Sequence, residues 1–349
     1  VRVVAKLCRA PVARRARRAV LAAIALFAGS QLAFGLAAEE YPRLRDPAYG
    51  DKLVKLRRRF DARPSAARVV MLGSSRTGMA FHAAKAEGDG RAVAFNFGIP
   101  AAGPVTQLVT LQRLFDDGVK PDLLLVEVLP SLLSKEADGR PRERHFLAAE
   151  RLTASECDTV ARLGFPAYDV HGTWARTVTT PAYWLRFPTM SKLVPSALPW
   201  QHRNDWSRGA DADGLSRTPD QSENADRRSR AMAQARLEYE PVLRDFTPGG
   251  PALDALRELL TLAAARGIPT RLILMPEGTE FRGYFPDAGY RRLLDALREL
   301  PAPLVNAREW LPDAAFVDGH HTFVAGADLF TARLTRDVIA PWLDTKAGR

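Results

Sequence analysis

The chain has 349 residues, 46% hydrophobic and 26% charged, a composition that supports one large domain or two modest ones and excludes disorder along most of its length. Its net charge of +10 invites a nucleic-acid reading, but seven positive charges (Arg2, Lys6, Arg9, Arg14, Arg15, Arg17 and Arg18) fall in residues 1–18, which hold no acid. Residues 39–349 therefore carry only +3, the excess belongs to a leader, and nucleic-acid binding gains no support.

Residues 19–38 form an uncharged, almost wholly apolar run. As a helix it reaches about 30 Å, the thickness of a hydrocarbon core. The basic residues before it and Glu39-Glu40 after it orient the N-terminus to the cytoplasm and the rest of the chain outward. Its length favours an uncleaved signal anchor in the inner (cytoplasmic) membrane, with an extracytoplasmic domain. A cleaved signal peptide is the alternative, since Gly35-Leu36-Ala37 offers small residues at the positions a signal peptidase reads. The two cysteines, Cys8 and Cys157, fall on opposite sides of that membrane, so no disulfide and no Cys-based metal site is available. Cys157 reads as a small buried apolar residue rather than a nucleophile.

Beyond the leader, Asp51–Phe60 reads as a charged amphipathic helix and Arg63-Pro64-Ser65 as a turn. Arg68–Leu72 and Ala92–Asn96 read as buried strands, the second followed by a turn over Gly98–Pro104 and a helix over 105–117. A third strand, Asp122–Val128, follows the breaker Lys120-Pro121. Regular alternation resumes at Pro251 with a helix over 251–266 closed by Gly267, a strand over Thr270–Met275, a helix over 288–299, a short strand near Leu304-Val305, and a last helix over 325–340. Continuous apolar runs alternating with helices imply an α/β fold: a three-layer α/β/α doubly wound parallel sheet of about five strands over residues 45–349. Residues 131–250 break the alternation and read as an insertion over the site, partly helical, with a mobile loop near 207–228 in the polar run Arg203–Arg230, which includes Asp205, Asp220 and Glu223. Its Trp174, Trp184 and Trp200 read as core packing, with stacking on sugar rings as the alternative.

Two short segments carry chemistry. Gly73-Ser74-Ser75 ends the first strand, which places a serine hydroxyl at the functional edge of such a sheet. Alone it reads first as a helix N-cap, since serines cap helices widely. Near the other end of the chain, Asp318-Gly319-His320-His321 sets an acid three residues before a histidine, just ahead of the last helix. A serine hydroxyl becomes a nucleophile when an imidazole takes its proton, and the imidazole needs an acid to fix its tautomer. That spacing favours His321 as the base and Asp318 as its orienting acid, with His320 as the competing choice.

Together these segments resemble the SGNH hydrolase superfamily of GDSL-like esterases and acyltransferases. The match covers about 68–130 and 268–343: Gly73-Ser74-Ser75 as the nucleophile block with Ser75 reactive, Asn96–Gly103 as the second block, and Asp318, His321 and Gly326 as the closing block. The resemblance implies a flavodoxin-like SGNH fold and an oxyanion hole from backbone N–H groups of Ser75 and of Ala101, Ala102 or Gly103, since Pro100 and Pro104 cannot donate. The third strand ends Val128-Leu129-Pro130-Ser131 and lacks the family's third-block Asn; one lost donor costs about 10²–10³ in rate. On this reading changes at Leu129 or Ser131 matter less than changes at Ala102.

With the anchor, this pattern is similar to membrane-tethered SGNH-like proteins that acylate cell-envelope polymers, such as the alginate O-acetyltransferase-like and D-alanyl-transfer-associated groups. It implies acyl transfer to or from a saccharide hydroxyl without metal or cofactor, with an acylated saccharide or polymer as substrate and a membrane-bound acyltransferase as a further partner. A non-catalytic accessory that keeps the fold and binds a polymer through 131–250 is the competing class.

Arg76, Glu127 and Glu277 stand at strand ends where each faces either a substrate or a structural partner. His82, His145, His171 and His202 lack metal-ligand spacing and read as structural.

Overall fold

The computed structural model describes residues 9–87, 90–134, 136–199, 209–216 and 225–347. Helix α1 (Arg9–Glu40) runs unbroken through the apolar stretch, where no proline or charge interrupts it. It is long and apolar enough to cross a membrane, a test that signal sequences also pass. Helix α2 (Pro47–Asp61) begins before Asp51 because the Asp46 carboxylate accepts the N–H groups of Ala48 and Tyr49, while Pro47 takes the first helical position.

There follow β1 (Ala67–Gly73), α3 (Ser75–Ala80), β2 (Ala92–Gly98), α4 (Pro104–Asp116) and β3 (Leu123–Val128). The long connection after β3 holds α5 (Ala154–Arg162), α6 (Ala167–Thr179), α7 (Pro181–Trp184), α8 (Arg186–Leu193) and α9 (Ala225–Arg244). The chain then returns through α10 (Pro251–Ala265), β4 (Thr270–Leu274), α11 (Asp287–Arg298), β5 (Leu304–Asn306) and α12 (Val324–Leu334). Beyond α12 one π-helical turn leads into a helix over Ala340–Ala347, so the helical end of the chain runs past 340.

The five strands are parallel in the order β2-β1-β3-β4-β5, the flavodoxin-type doubly wound order. Alternate residues feed two cores. Val70, Leu72, Phe95, Phe97, Leu124 and Val126 join one with α2, α4 and α10, whereas Val69, Met71, Ala94, Leu125 and Ile273 join the other with α12. Strands buried on both faces need continuous apolar runs, which is the pattern that marked them in the sequence. The strand order reverses between β1 and β3, with β2 added on one side and β3 to β5 on the other, which opens a crevice outside the carboxyl ends of β1 and β3.

Residues 131–250 hold no strand among the described residues, and an antiparallel bridge between Ser134 and Pro248 draws the two ends of the excursion together. The expectation of a mobile loop near 207–228 needs correction at 209–216 and 225–228, while 207, 208 and 217–224 lie outside the described residues. Residues 209–216 are fastened to the β2 edge: Asn96 N–H donates to Asp213 O at 2.8 Å, and the buried Lys52 ammonium donates to the carbonyls of Asn96 and Gly214. Helix α9 begins at Ala225, inside the span read as loop. Trp200, His202, Arg203, Asp205, Asp220 and Glu223 lie outside the described residues. Cys157 is fully buried in the core, and burial pushes its thiol up to about 11, as a packing residue should show.

Candidate active site

The turn after β1 is built around one carboxylate. Glu127, near the end of the neighbouring β3, is 1% exposed and accepts from Ser74 N–H (2.7 Å), Ser74 Oγ (2.7 Å), Thr77 N–H (3.2 Å) and Thr77 Oγ1 (2.6 Å). A side chain at Gly73 would collide with Thr77 Oγ1 and the Glu127 carboxylate, so only glycine lets the strand pass this close. Ser74 caps α3, its Oγ accepting Arg76 N–H at 3.1 Å, which leaves Ser75 as the first helical residue with its side chain toward the crevice.

The base arrives from the segment after β5. A tight turn over Phe316–Thr322 is closed by the Val317 N–H to His321 O bond at 2.8 Å, with Gly319 in the left-handed region at φ +86°. Asp318 Oδ1 accepts the backbone N–H groups of His320 and His321, and its Oδ2 lies 2.7 Å from His321 Nδ1. Thr322 Oγ1 donates to Met79 O, tying this turn to α3. His321 Nε2 lies 2.8 Å from Ser75 Oγ. With Nδ1–H held by Asp318, the Nε2 lone pair faces the serine hydroxyl, the tautomer a general base requires. Burial pushes the Asp318 carboxyl up, but the hydrogen bonds it accepts from the His321 ring and from the His321 backbone N–H outweigh it and hold the group well below the usual carboxylate range.

The sequence expected a second donor among Ala101, Ala102 and Gly103, and the structure narrows that set to one. Ala102 N–H donates to Ile99 O at 3.0 Å, and Gly103 N–H donates to Glu143 Oε1 at 2.8 Å. Both are committed, so neither is an oxyanion donor in this arrangement. Ala101 adopts φ +57°, a conformation that favours glycine, and among the described residues its N–H and that of Ser75 have no acceptor. Glu143 was not legible as part of the site: fully buried, it also receives Val105 N–H and Thr106 N–H and pins the turn from 40 residues away. Burial raises its carboxyl, and those backbone donors pull the other way.

A pocket of about 270 Å³ opens over Ser75 and His321, bounded by Pro100, Ala101, Leu129 and Ser131 and closed on the side of the long connection by Phe146 and Tyr239. Of the other sequence candidates, Glu127, Arg76 and Glu277 serve the frame, although the buried Arg76 Nε has no partner among the described residues. Arg76 borders the pocket but is 2% exposed; its guanidinium donates to Glu277 and to the carbonyls of Met275 and Pro276. Glu277 is buried between Arg76 and Arg308, whose Nε donates at 2.6 Å. Of the two readings, Arg76 therefore takes the structural partner, its charge paired with Glu277.

His320 is 4% exposed, sits against the rings of Phe281, Tyr239 and His321, and has no hydrogen-bond partner on either ring nitrogen among the described residues. Burial, and then the charge of His321, drop its imidazole well below the ordinary value and keep it neutral. Asp318, His320 and His321 bring ligand-type atoms within 4.8 Å of one another, but Asp318 and His321 already use theirs in the chain of hydrogen bonds to Ser75. His82, His145 and His171 pair with Asp328, Glu136 and Asp158, respectively, away from this pocket. Trp174 packs partly buried against the core. Comparison with known proteins finds no family model and no curated relative that matches this chain.

Proposed function

We propose that this protein is a membrane-anchored, extracytoplasmic serine esterase or O-acyltransferase of SGNH-like fold, with 131–250 as an insertion beside the site. The observation that carries the reading is the continuous chain Ser75 Oγ, His321 Nε2, His321 Nδ1, Asp318 Oδ2, with links of 2.8 and 2.7 Å, at the carboxyl edge of a doubly wound sheet. Ser75 Oγ attacks an acyl carbonyl carbon while His321 Nε2 takes the hydroxyl proton. The carbonyl oxygen becomes an oxyanion facing the N–H groups of Ser75 and Ala101. Collapse expels the alcohol, which takes the proton from His321, and leaves an acyl-Ser75 ester. Water or an acceptor hydroxyl then repeats the sequence in reverse, its proton passing to His321 and back to Ser75. Asp318 holds the imidazole and stabilises its cationic form.

The resemblance supplies the substrate class, an O-acylated saccharide of the cell envelope or extracellular matrix. The seven leader charges and the α1 apolar run support an inner-membrane anchor with the α/β domain outside. Turnover of p-nitrophenyl acetate by the full chain tests the chemistry: His321→Ala should reduce kcat/KM by at least about 10³-fold. Equal turnover by wild type and His321→Ala would overturn the reading.

A further inference from the structure

The end of α1 is not free. Over Ala19–Ser30 every residue is exposed, but Gln31, Phe34, Gly35 and Ala38, spaced as one helical face, lose exposure against the domain. Gln31 Oε1 accepts Ala182 N–H at 3.1 Å, and a Cβ on Gly35 would lie 3.5 Å from Pro181 Cγ, so α7 is seated on residues 31–35. The uncontacted apolar stretch of twelve residues is about 18 Å long, well short of the roughly 30 Å of a hydrocarbon core. Arg14, Arg15, Arg17 and Arg18 bar the helix from sinking further at its other end. If α1 spans a bilayer, its last eight apolar residues must lie in the outer part of that bilayer, and α7, bonded to them, lies there too.

The surface around α7 has the composition such a position requires. Tyr183, Val178, Leu193 (75% exposed) and Val194 are exposed on α6–α8 and the residue that follows. The Arg186 guanidinium lies 4.0 Å from the Tyr183 ring centre and 4.4 Å from that of Phe187, and Arg176 stacks over Trp184. Aromatic rings with arginines beside them, a polar head on an apolar body, are what settles at a headgroup boundary.

We infer that α6–α8 form a lipid-docking surface, immersed in the outer leaflet of the bilayer that α1 spans. The partner is the membrane itself, which holds the Ser75 pocket at one height and orientation. This rests on the α1 span in the proposed function and is independent of the Ser75 chemistry.

The test uses the full chain with Cys8→Ser and single cysteines at Phe27, Tyr183, Leu193 and, as a control on exposed α9, Leu237; Cys157 is buried and unreactive. Each cysteine is labelled with nitrobenzoxadiazole and the protein reconstituted in phosphatidylcholine vesicles containing a 5-doxyl lipid. Labels at 27, 183 and 193 should be blue-shifted and quenched at least about twofold more than at 237, as for groups about 5–10 Å below the headgroups. Quenching at 27 with 183 and 193 behaving like 237 would overturn the docking surface and leave the anchor. No quenching at 27 would overturn the span and the docking surface with it. Labels at 183 and 193 shielded in native membranes but solvated in pure-lipid vesicles would assign the surface to a protein partner and overturn the lipid assignment.

Discussion

Removing the Glu127 carboxylate should loosen the turn that carries Ser75 and measurably destabilise the fold. Its Oε2 accepts three bonds, from Ser74 N–H, Thr77 N–H and Thr77 Oγ1, and its Oε1 accepts one, from Ser74 Oγ, all in a site 1% exposed. Glu127→Gln can keep an oxygen at the Oε2 position and turn its amide toward Ser74 Oγ, losing mainly the charge assistance. Bonds to a charged acceptor are worth about 1.5–3 kcal/mol against about 0.5–1.5 for neutral ones, and burying a neutral amide offsets part of the loss, so the net cost is about 1–2 kcal/mol. Glu127→Ala strands two buried backbone donors at about 1–3 kcal/mol each, besides two hydroxyls, for about 3–6 kcal/mol in all. At about 2–4 °C per kcal/mol for a domain this large, thermal unfolding of the full chain in lipid nanodiscs should fall by about 2–8 °C for Gln and about 6 °C or more for Ala. Reactivity at Ser75 should fall further in the Ala variant than in the Gln variant. An Ala variant that melts within 2 °C of wild type would refute the account of this turn.

Two more consequences follow from the neighbouring residues. Ala101→Gly keeps the free N–H but relieves a left-handed residue of a strain of about 1–2 kcal/mol, against about 0.5–1 kcal/mol of added chain entropy; Tm should rise by up to about 6 °C with turnover unchanged, and a fall in either would contradict the φ assigned to Ala101. His320 is neutral in the fold with a depressed pKa, so below about pH 6.5 the unfolded chain takes up a proton that the folded chain refuses, and stability falls as pH falls. His320→Phe, set among Phe281, Tyr239 and His321, should remove a slope of about 1.4 kcal/mol per pH unit below pH 6.5; chemical denaturation at pH 7, 6 and 5 checks it, and identical slopes in the two proteins would count against a buried neutral imidazole. Asp318, held low, adds its own loss only below the ordinary carboxylate range.

The strands were legible because a sheet buried on both faces demands nearly continuous apolar residues, and Ala67–Gly73, Ala92–Gly98 and Leu123–Val128 supply them around the single polar residues Arg68, Asn96 and Glu127. Ser75, Asp318 and His321 were legible for a related reason: each sits in a turn at a strand end or before a helix, and the three-residue Asp–His spacing lets one carboxylate hold both the ring and the backbone of His321. The donor pattern of the Pro100–Gly103 turn was not, because which N–H stays free depends on partners that spacing does not reveal. Ile99 O takes Ala102, and Glu143, in an ordinary-looking charged stretch, takes Gly103. Helix α9 was hidden for a different reason. Over its 20 residues only Ala235 and Leu243 are buried, so it has no apolar stripe to read, and Pro241 inside it argues against a helix. The immersed face of α6–α8 was invisible as well, since it depends on where Gln31 meets Ala182.

The most direct measurement is covalent trapping with a fluorophosphonate on the natively folded full chain, followed by mass mapping of the adduct. A serine activated by His321 at 2.8 Å should carry the label at Ser75, and Ser75→Ala should carry none while melting like wild type. An unlabelled wild type, or a label that persists in Ser75→Ala, would contradict the central claim.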